Sequence, residues 1–258
     1  MIEDLRQSVA LATHGDLFLR TSVQPPELFA EHPVFDYVHE LEFHRPGIAV
    51  FPRQVFRGTR PWYMYLRDRG AREMTAATWG ANWGLPQHIA AAFMGASQCG
   101  VQVRYRRSCE LWVPRADLRS VVFRRHWRLR PVRIVPFAEA DREVQDVLDE
   151  VIMFTRMADW RGWHEYYSDA LALRRGCTPL EDDSLDLLPE TGYSENARLL
   201  LACVSKAWAF GGMGSWNDAS FGQEYIEDKY NELTPRMFSA FLAAFSSATE
   251  AREEPGQR

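Results

Sequence analysis

The spacing of apolar and polar positions changes character near residue 136. Before it, most segments repeat every two residues. In 34–44, Phe35, Tyr37, His39, Leu41 and Phe43 fall on one face of a strand, with Asp36, Glu40, Glu42 and His44 on the other. Segments 48–57 and 61–67 read as further strands, punctuated by Pro46-Gly47 and Gly58. Val101–Tyr105, Glu110–Val113 and Ser120–Phe123 extend the series, and Arg133–Phe137 adds a short last strand. Two helices are predicted among them. One covers 2–12, with Ile2, Leu5, Val9 and Ala12 on one face, and one covers 86–97, opened by Pro86.

After residue 136 the period becomes helical. Val144, Val147, Leu148, Val151 and Ile152 form one stripe of a helix over 141–158, with acids on its other side. A loop over 177–197 follows, holding Glu181, Asp182, Asp183, Asp186, Glu190 and Glu195 and no base. Ser194 is placed to cap a buried helix running to about 210. Thr234-Pro235 is expected to open a last helix with Met237, Phe238, Phe241, Leu242 and Phe245 inward. The whole is an α+β protein: an antiparallel sheet with helices in 1–136, and a mostly α-helical 137–258. The two regions read as separate domains or as one continuous domain.

Charge sharpens that division. Residues 1–136 carry 19 Arg and no Lys against 12 Asp and Glu, whereas 137–258 carry 11 Lys and Arg against 23 acids. The expectation is that the cationic front and anionic back neutralise each other, leaving surplus carboxylates outward. The four cysteines have no CxxC spacing, and the opening Met1-Ile2-Glu3-Asp4 lacks the positive start of a secretory signal, so a cytoplasmic protein is expected. The longest apolar run, Ile89–Ala96, is far shorter than the roughly 20 residues of a membrane helix.

Four segments carry candidate chemistry. The string Gly211-Gly212-Met213-Gly214-Ser215-Trp216-Asn217-Asp218 is either a rigid corner between helices or a binding loop whose N–H groups hold an anion. It fits neither a dinucleotide fingerprint, which needs Gly at 217, nor a nucleophile elbow, which needs Gly at 213 and 217. Trp216 is either a core plug or a ring offered to a partner. Arg104–Arg133 holds ten Arg interleaved with Tyr105, Trp112, Phe123 and Trp127, a pattern compatible with single-stranded nucleic acid. The alternation of several of these arginines, and a pI near 5.8, argue against that use. Glu40, Glu42 and His44 share a strand face at metal-ligand spacing, with no second ligand cluster beside them. Trp160–Tyr167 is an aromatic cluster with a His164-Glu165 pair, and it lacks the second His of a zincin.

The stretch Ala207-Trp208-Ala209-Phe210 with Gly211–Asp218 resembles a motif in uncharacterised bacterial proteins, some encoded beside toxin genes as immunity proteins. It covers about a dozen residues. The resemblance implies a small cytoplasmic binder that occludes a toxin and catalyses nothing. The leading expectation is therefore a non-enzymatic bacterial protein that binds another protein, with a basic toxin as the narrower case. Gly212, Gly214, Ser215, Trp216, Asn217, Asp218, Asp182 and Asp183 are its contact candidates; no metal, cofactor or membrane is expected. The alternatives are an enzyme sited where the 211–218 loop meets 160–167, with Asp218 or His164 as acid or base, and an Arg-driven nucleic-acid binder.

Overall fold

Rings build the front of the molecule. Leu41 and Phe43 point inward from strand β1 (Glu40–Arg45), and Phe43 stacks on Trp62 at 4.0 Å between centroids. Trp112 and Phe123 close the same cluster. Burial of such rings is the main favourable contribution to this half. The structure, a computed structural model, describes residues 2–21, 24–47, 52–79, 86, 88–89, 99–117, 119–128, 130–180, 186–211 and 215–253.

Helix α1 (Ile2–Arg20), a short α2 (Leu28–Glu31) and β1 lead into β2 (Gln54–Arg57) and α3 (Thr59–Asp68). Four more strands follow: β3 (Glu73–Thr78), β4 (Cys99–Arg104), β5 (Cys109–Asp117) and β6 (Ser120–Arg128). The sheet order is β2-β1-β6-β5-β4-β3. Neighbours are antiparallel except β1 and β6, which run parallel from Glu40↔Ser120 to His44↔Arg124. That parallel pair is closed by the long connection through β2–β5, as parallel strands require.

Three local expectations are corrected. Residues 61–67 lie within helix α3, not a strand. Trp62, Tyr63 and Leu66 form its buried face, and the Glu27 carboxylate accepts the Thr59 and Arg60 N–H groups, a cap supplied from 32 residues away. Residues 34–39 are not extended: Pro33–Phe35 form a 3-10 turn capped by His32, and Tyr37 is 89% exposed. Residues 133–136 are irregular, and Phe137 already begins a helix. Of the helix expected over 86–97, His88 and Ile89 are helical and most of the rest lies outside the described residues.

The back half is α4 (Phe137–Met157), α5 (Arg161–Arg174), α6 (Glu195–Lys206) and α7 (Glu224–Ser247). Helix α4 packs between α5 and α7, and α6 packs on α5 and α7. Ser194 accepts the Ala197 N–H, as expected of the cap. The last helix begins ten residues before Thr234, with Pro235 inside it. Pro235 is exposed, so water can satisfy the carbonyl its missing N–H leaves.

One contiguous apolar cluster includes residues of both halves. Helix α1 contacts β3, β4 and α7, and Thr78 donates to the Leu242 carbonyl at 3.1 Å. None of the four cysteines forms a disulfide: Cys99, Cys109 and Cys203 are buried and Cys177 is exposed. Among the described residues no helix is long and apolar enough to cross a membrane.

The expected neutralisation between halves is not found among the described residues. Among the described residues, the ion pairs crossing from 1–136 to 137–258 are those of Arg252 with Asp16 and Glu73, a back-half cation on front-half acids. Other pairs lie within one half, such as Arg125–Glu110 in front and Arg174–Asp141 or Arg236–Glu150 behind. Apart from the Arg252 pairs, apolar packing and neutral hydrogen bonds such as that of Thr78 to the Leu242 carbonyl join the halves.

His14 on α1 and His32 form a half-buried pair of imidazoles. His14 meets His32 edge-on at 5.4 Å, and its Nε2 is buried without a hydrogen-bond partner. Burial, followed by the charges of His32 and Arg198, lowers the His14 pKa to about 3. The unfolded chain thus binds a proton below about pH 6.5 that the folded chain refuses until far lower, so stability falls as pH falls through that window. The expected loss from His14 is about 2 kcal/mol between pH 7 and pH 5. Urea midpoints of wild type and His14→Phe at both pH values test this: the variant should lose markedly less stability on acidification. An equal loss in both would rule His14 out as the cause.

Candidate functional site

A tight corner aims the aromatic cluster. Helix α4 ends at Met157, Asp159 adopts the left-handed region at φ 51°, and Trp160 precedes α5. Asp tolerates that conformation better than most residues. The Trp160 N–H bonds to the Thr155 carbonyl at 2.8 Å, fixing the corner. In the first turns of α5, Trp163, Tyr166 and Tyr167 then project toward the chain leaving α6.

That chain, Ala207–Gly211, is held by its own polar groups. Tyr166 Oη donates to the Trp208 carbonyl at 3.0 Å, and Trp208 Nε1 donates to the Phe210 carbonyl at 2.8 Å. Ser215 Oγ donates to the Gly211 carbonyl and accepts the Asn217 N–H, capping a 3-10 turn, Trp216–Asp218.

Trp216 is a plug. Its ring is fully buried, stacked on Trp160 at 5.1 Å and met edge-on by Trp163 and Tyr167. Nε1 donates to Thr234 Oγ1 at 2.9 Å, and its carbonyl accepts from Tyr230 Oη at 2.7 Å. The ring is therefore not offered to a partner. It backs the partly exposed rings of Trp160 and Trp163.

In front of this plug lies a cavity of about 620 Å³, lined by Trp160, Gly162, Trp163, Tyr166, Trp208–Gly211 and Ser215. The 160–167 cluster and the 211–218 loop thus meet, as the enzyme alternative requires. The groups nominated for chemistry do not line the cavity. His164 Nδ1 faces the Ile152 carbonyl at 3.3 Å and its Nε2 accepts from Arg156, so the imidazole braces the α4–α5 corner. Asp218 is exposed at the end of its turn, and Asn217 is half-buried beside it. Burial pushes the Tyr166 phenol up to about 12, so at neutral pH it is a donor already committed to Trp208. The walls offer rings and a few fixed dipoles, a composition suited to holding an apolar group.

Of the other contact candidates, Gly212, Gly214, Asp182 and Asp183 lie outside the described residues. Glu42 and His44 share a face as expected but bond to each other at 2.6 Å, and Arg57 donates to the second Glu42 oxygen. The His44 contact, then Arg57, holds the Glu42 carboxyl below its ordinary pKa. Among the described residues no group of three or more potential ligands is placed to hold a metal.

Pocket walls Trp208 and Phe210 lie beyond the end of α6 at Lys206, where the sequence predicts helix to about 210. The available signal was a helix rich in small residues ending in two large rings beside glycines. Compared with known protein families, curated proteins and solved structures, the chain has no match.

Proposed function

We propose that this protein binds another protein, receiving an apolar anchor residue of the partner between Trp160, Trp163 and Trp208. The observation that carries this reading is the pocket's wall. It is aromatic, and the hydroxyl and indole donors of Tyr166, Trp208 and Ser215 are already bonded internally. Such pockets dominate binding energy at interfaces.

The net acidic charge of the helical half supports a basic partner. Helices α4 and α7 expose Asp146, Asp149, Glu224 and Asp228, together with Met153, Met157 and Tyr225 at 69%, 49% and 59% exposure. Exposed methionine and tyrosine on a half of net negative charge suit a cationic partner bearing apolar side chains, and that charge speeds encounter. Neutralisation of a basic toxin in a bacterial cytoplasm is the narrower form of this proposal, resting on the 207–218 resemblance. Catalysis is less well supported, because no described wall residue is a free acid, base or activated nucleophile.

Gly162 provides the test. It lines the pocket, and a side chain built there meets nothing within 4 Å. Gly162→Trp should fill the cavity and leave the fold intact. Wild type and Gly162→Trp, used as paired baits in lysate of the native host, should differ in one basic protein, retained by the wild type and released by salt. Retention of nothing, or equal retention by both baits, contradicts the proposal.

A further inference from the structure

A second cavity, of about 520 Å³, lies at the end of β1, and cations surround it. His44 and Arg124 are register partners across the parallel β1–β6 pair, so they stand side by side on one sheet face. His126 follows on that face two residues along β6, and Arg53 reaches in from the residue before β2. Pro46 and Gly47 complete the described lining outside β6.

Hydrogen bonding accounts for the Glu42 carboxylate beside His44. A guanidinium only donates, so the 2.9 Å contact from Arg53 Nη2 makes His44 Nδ1 an acceptor. The imidazole proton then sits on Nε2, donated to Glu42 Oε2. Arg57 engages Glu42 Oε1 at 3.1 Å. Glu42 is thereby spent on His44 and Arg57. Arg125 belongs to a different pair, with buried Glu110. Arg53 and Arg124 have no carboxylate partner among the described residues.

We infer that this cavity binds the phosphate of a small phosphorylated molecule, with Arg53 and Arg124 as its guanidinium clamps and His126 as a further donor. Guanidinium forks match phosphate oxygens in pairs, and the cavity is large enough for the group that carries the phosphate. Charge on the rest of the molecule favours a small ligand over a polynucleotide. The formal charge is −5, and the acidic helical half repels a long polyanion, whereas a ligand inside the cavity feels charges within about 10 Å. This site is separate from the aromatic pocket, and the two proposals stand or fall independently.

Calorimetric titration of the full chain with inorganic phosphate and with pyrophosphate, at low ionic strength, tests it. One saturable site is expected. Arg124→Gln, an exposed position that should leave the thermal midpoint unchanged, should weaken binding about tenfold or more. Arg53→Gln provides a second reading of the same loss. Arg115→Gln, on the same face but outside the cavity, should bind within about twofold of wild type. Absence of saturation overturns the inference, as does equal weakening by Arg115→Gln and Arg124→Gln, which would show a diffuse field. Tighter binding of a single-stranded oligonucleotide, with neither phosphate probe saturating, would make the face a nucleic-acid surface and also overturn it.

Discussion

Trp216→Ala is expected to cost about 3–5 kcal/mol of stability, near the upper end for a single core truncation. The indole is fully buried, and its removal takes away the ring against which Trp160 stacks and Trp163 and Tyr167 abut. It also leaves Thr234 Oγ1 without the indole N–H it accepts. The effect should extend beyond stability. Trp160 and Trp163 are pocket walls, so relaxation of either toward the vacated space changes the cavity proposed to receive the anchor. Urea unfolding gives the energetic loss, and partner capture by the surviving folded fraction gives the functional one. A loss below about 1 kcal/mol, typical of a surface site, would show that the ring is not the floor described above.

A loss of similar size is expected at the join between the halves. Asp16 is fully buried in α1, and it accepts the Met74 N–H at 3.0 Å, Arg20 Nε at 2.8 Å and Tyr193 Oη at 3.3 Å. Arg252 Nε stands 2.9 Å away, reaching in from the end of the described chain. Removing one member of a buried charged network leaves the others uncompensated, so Asp16→Ala should cost about 3–5 kcal/mol. Asp16→Asn keeps the shape and one acceptor and should cost less. Arg252→Met removes the opposite charge, and in a double-mutant cycle its effect should be strongly non-additive with Asp16→Ala. Additive effects would mean that the Asp16–Arg252 contact does not couple the two halves.

Period and capping made much of this fold readable. Val101 and Val103 on β4, the stripe Val144–Val151 on α4 and the Ser194 cap of α6 are local signals, and each element formed where expected. The failures share a cause: the deciding contact is remote. Residues 61–67 carry enough rings to read as a strand, but Glu27 caps them into a helix. Thr234-Pro235 carries a start signal, yet Tyr230 and Leu233 before it bury apolar surface and carry the helix through.

The site was half legible. Its two aromatic and glycine-rich segments do meet, but the residue singled out, Trp216, lies behind the wall, and Trp208 and Phe210 form the wall. Charge misled most. A surplus of Arg in one half and of acids in the other suggests mutual neutralisation, and only side-chain placement shows that each surplus finds its few partners at home. That arrangement leaves a cationic cavity on the sheet and an acidic, methionine-bearing surface on the helices.

Titration with a short peptide in which a single leucine or tryptophan is flanked by arginines examines the aromatic pocket most directly, because it asks for anchor and charge together. Saturable binding that weakens with salt, is lost at least tenfold in Gly162→Trp, and is lost when the anchor becomes alanine is the expected result. Binding that is unchanged in Gly162→Trp, or that persists without the anchor, would contradict the account.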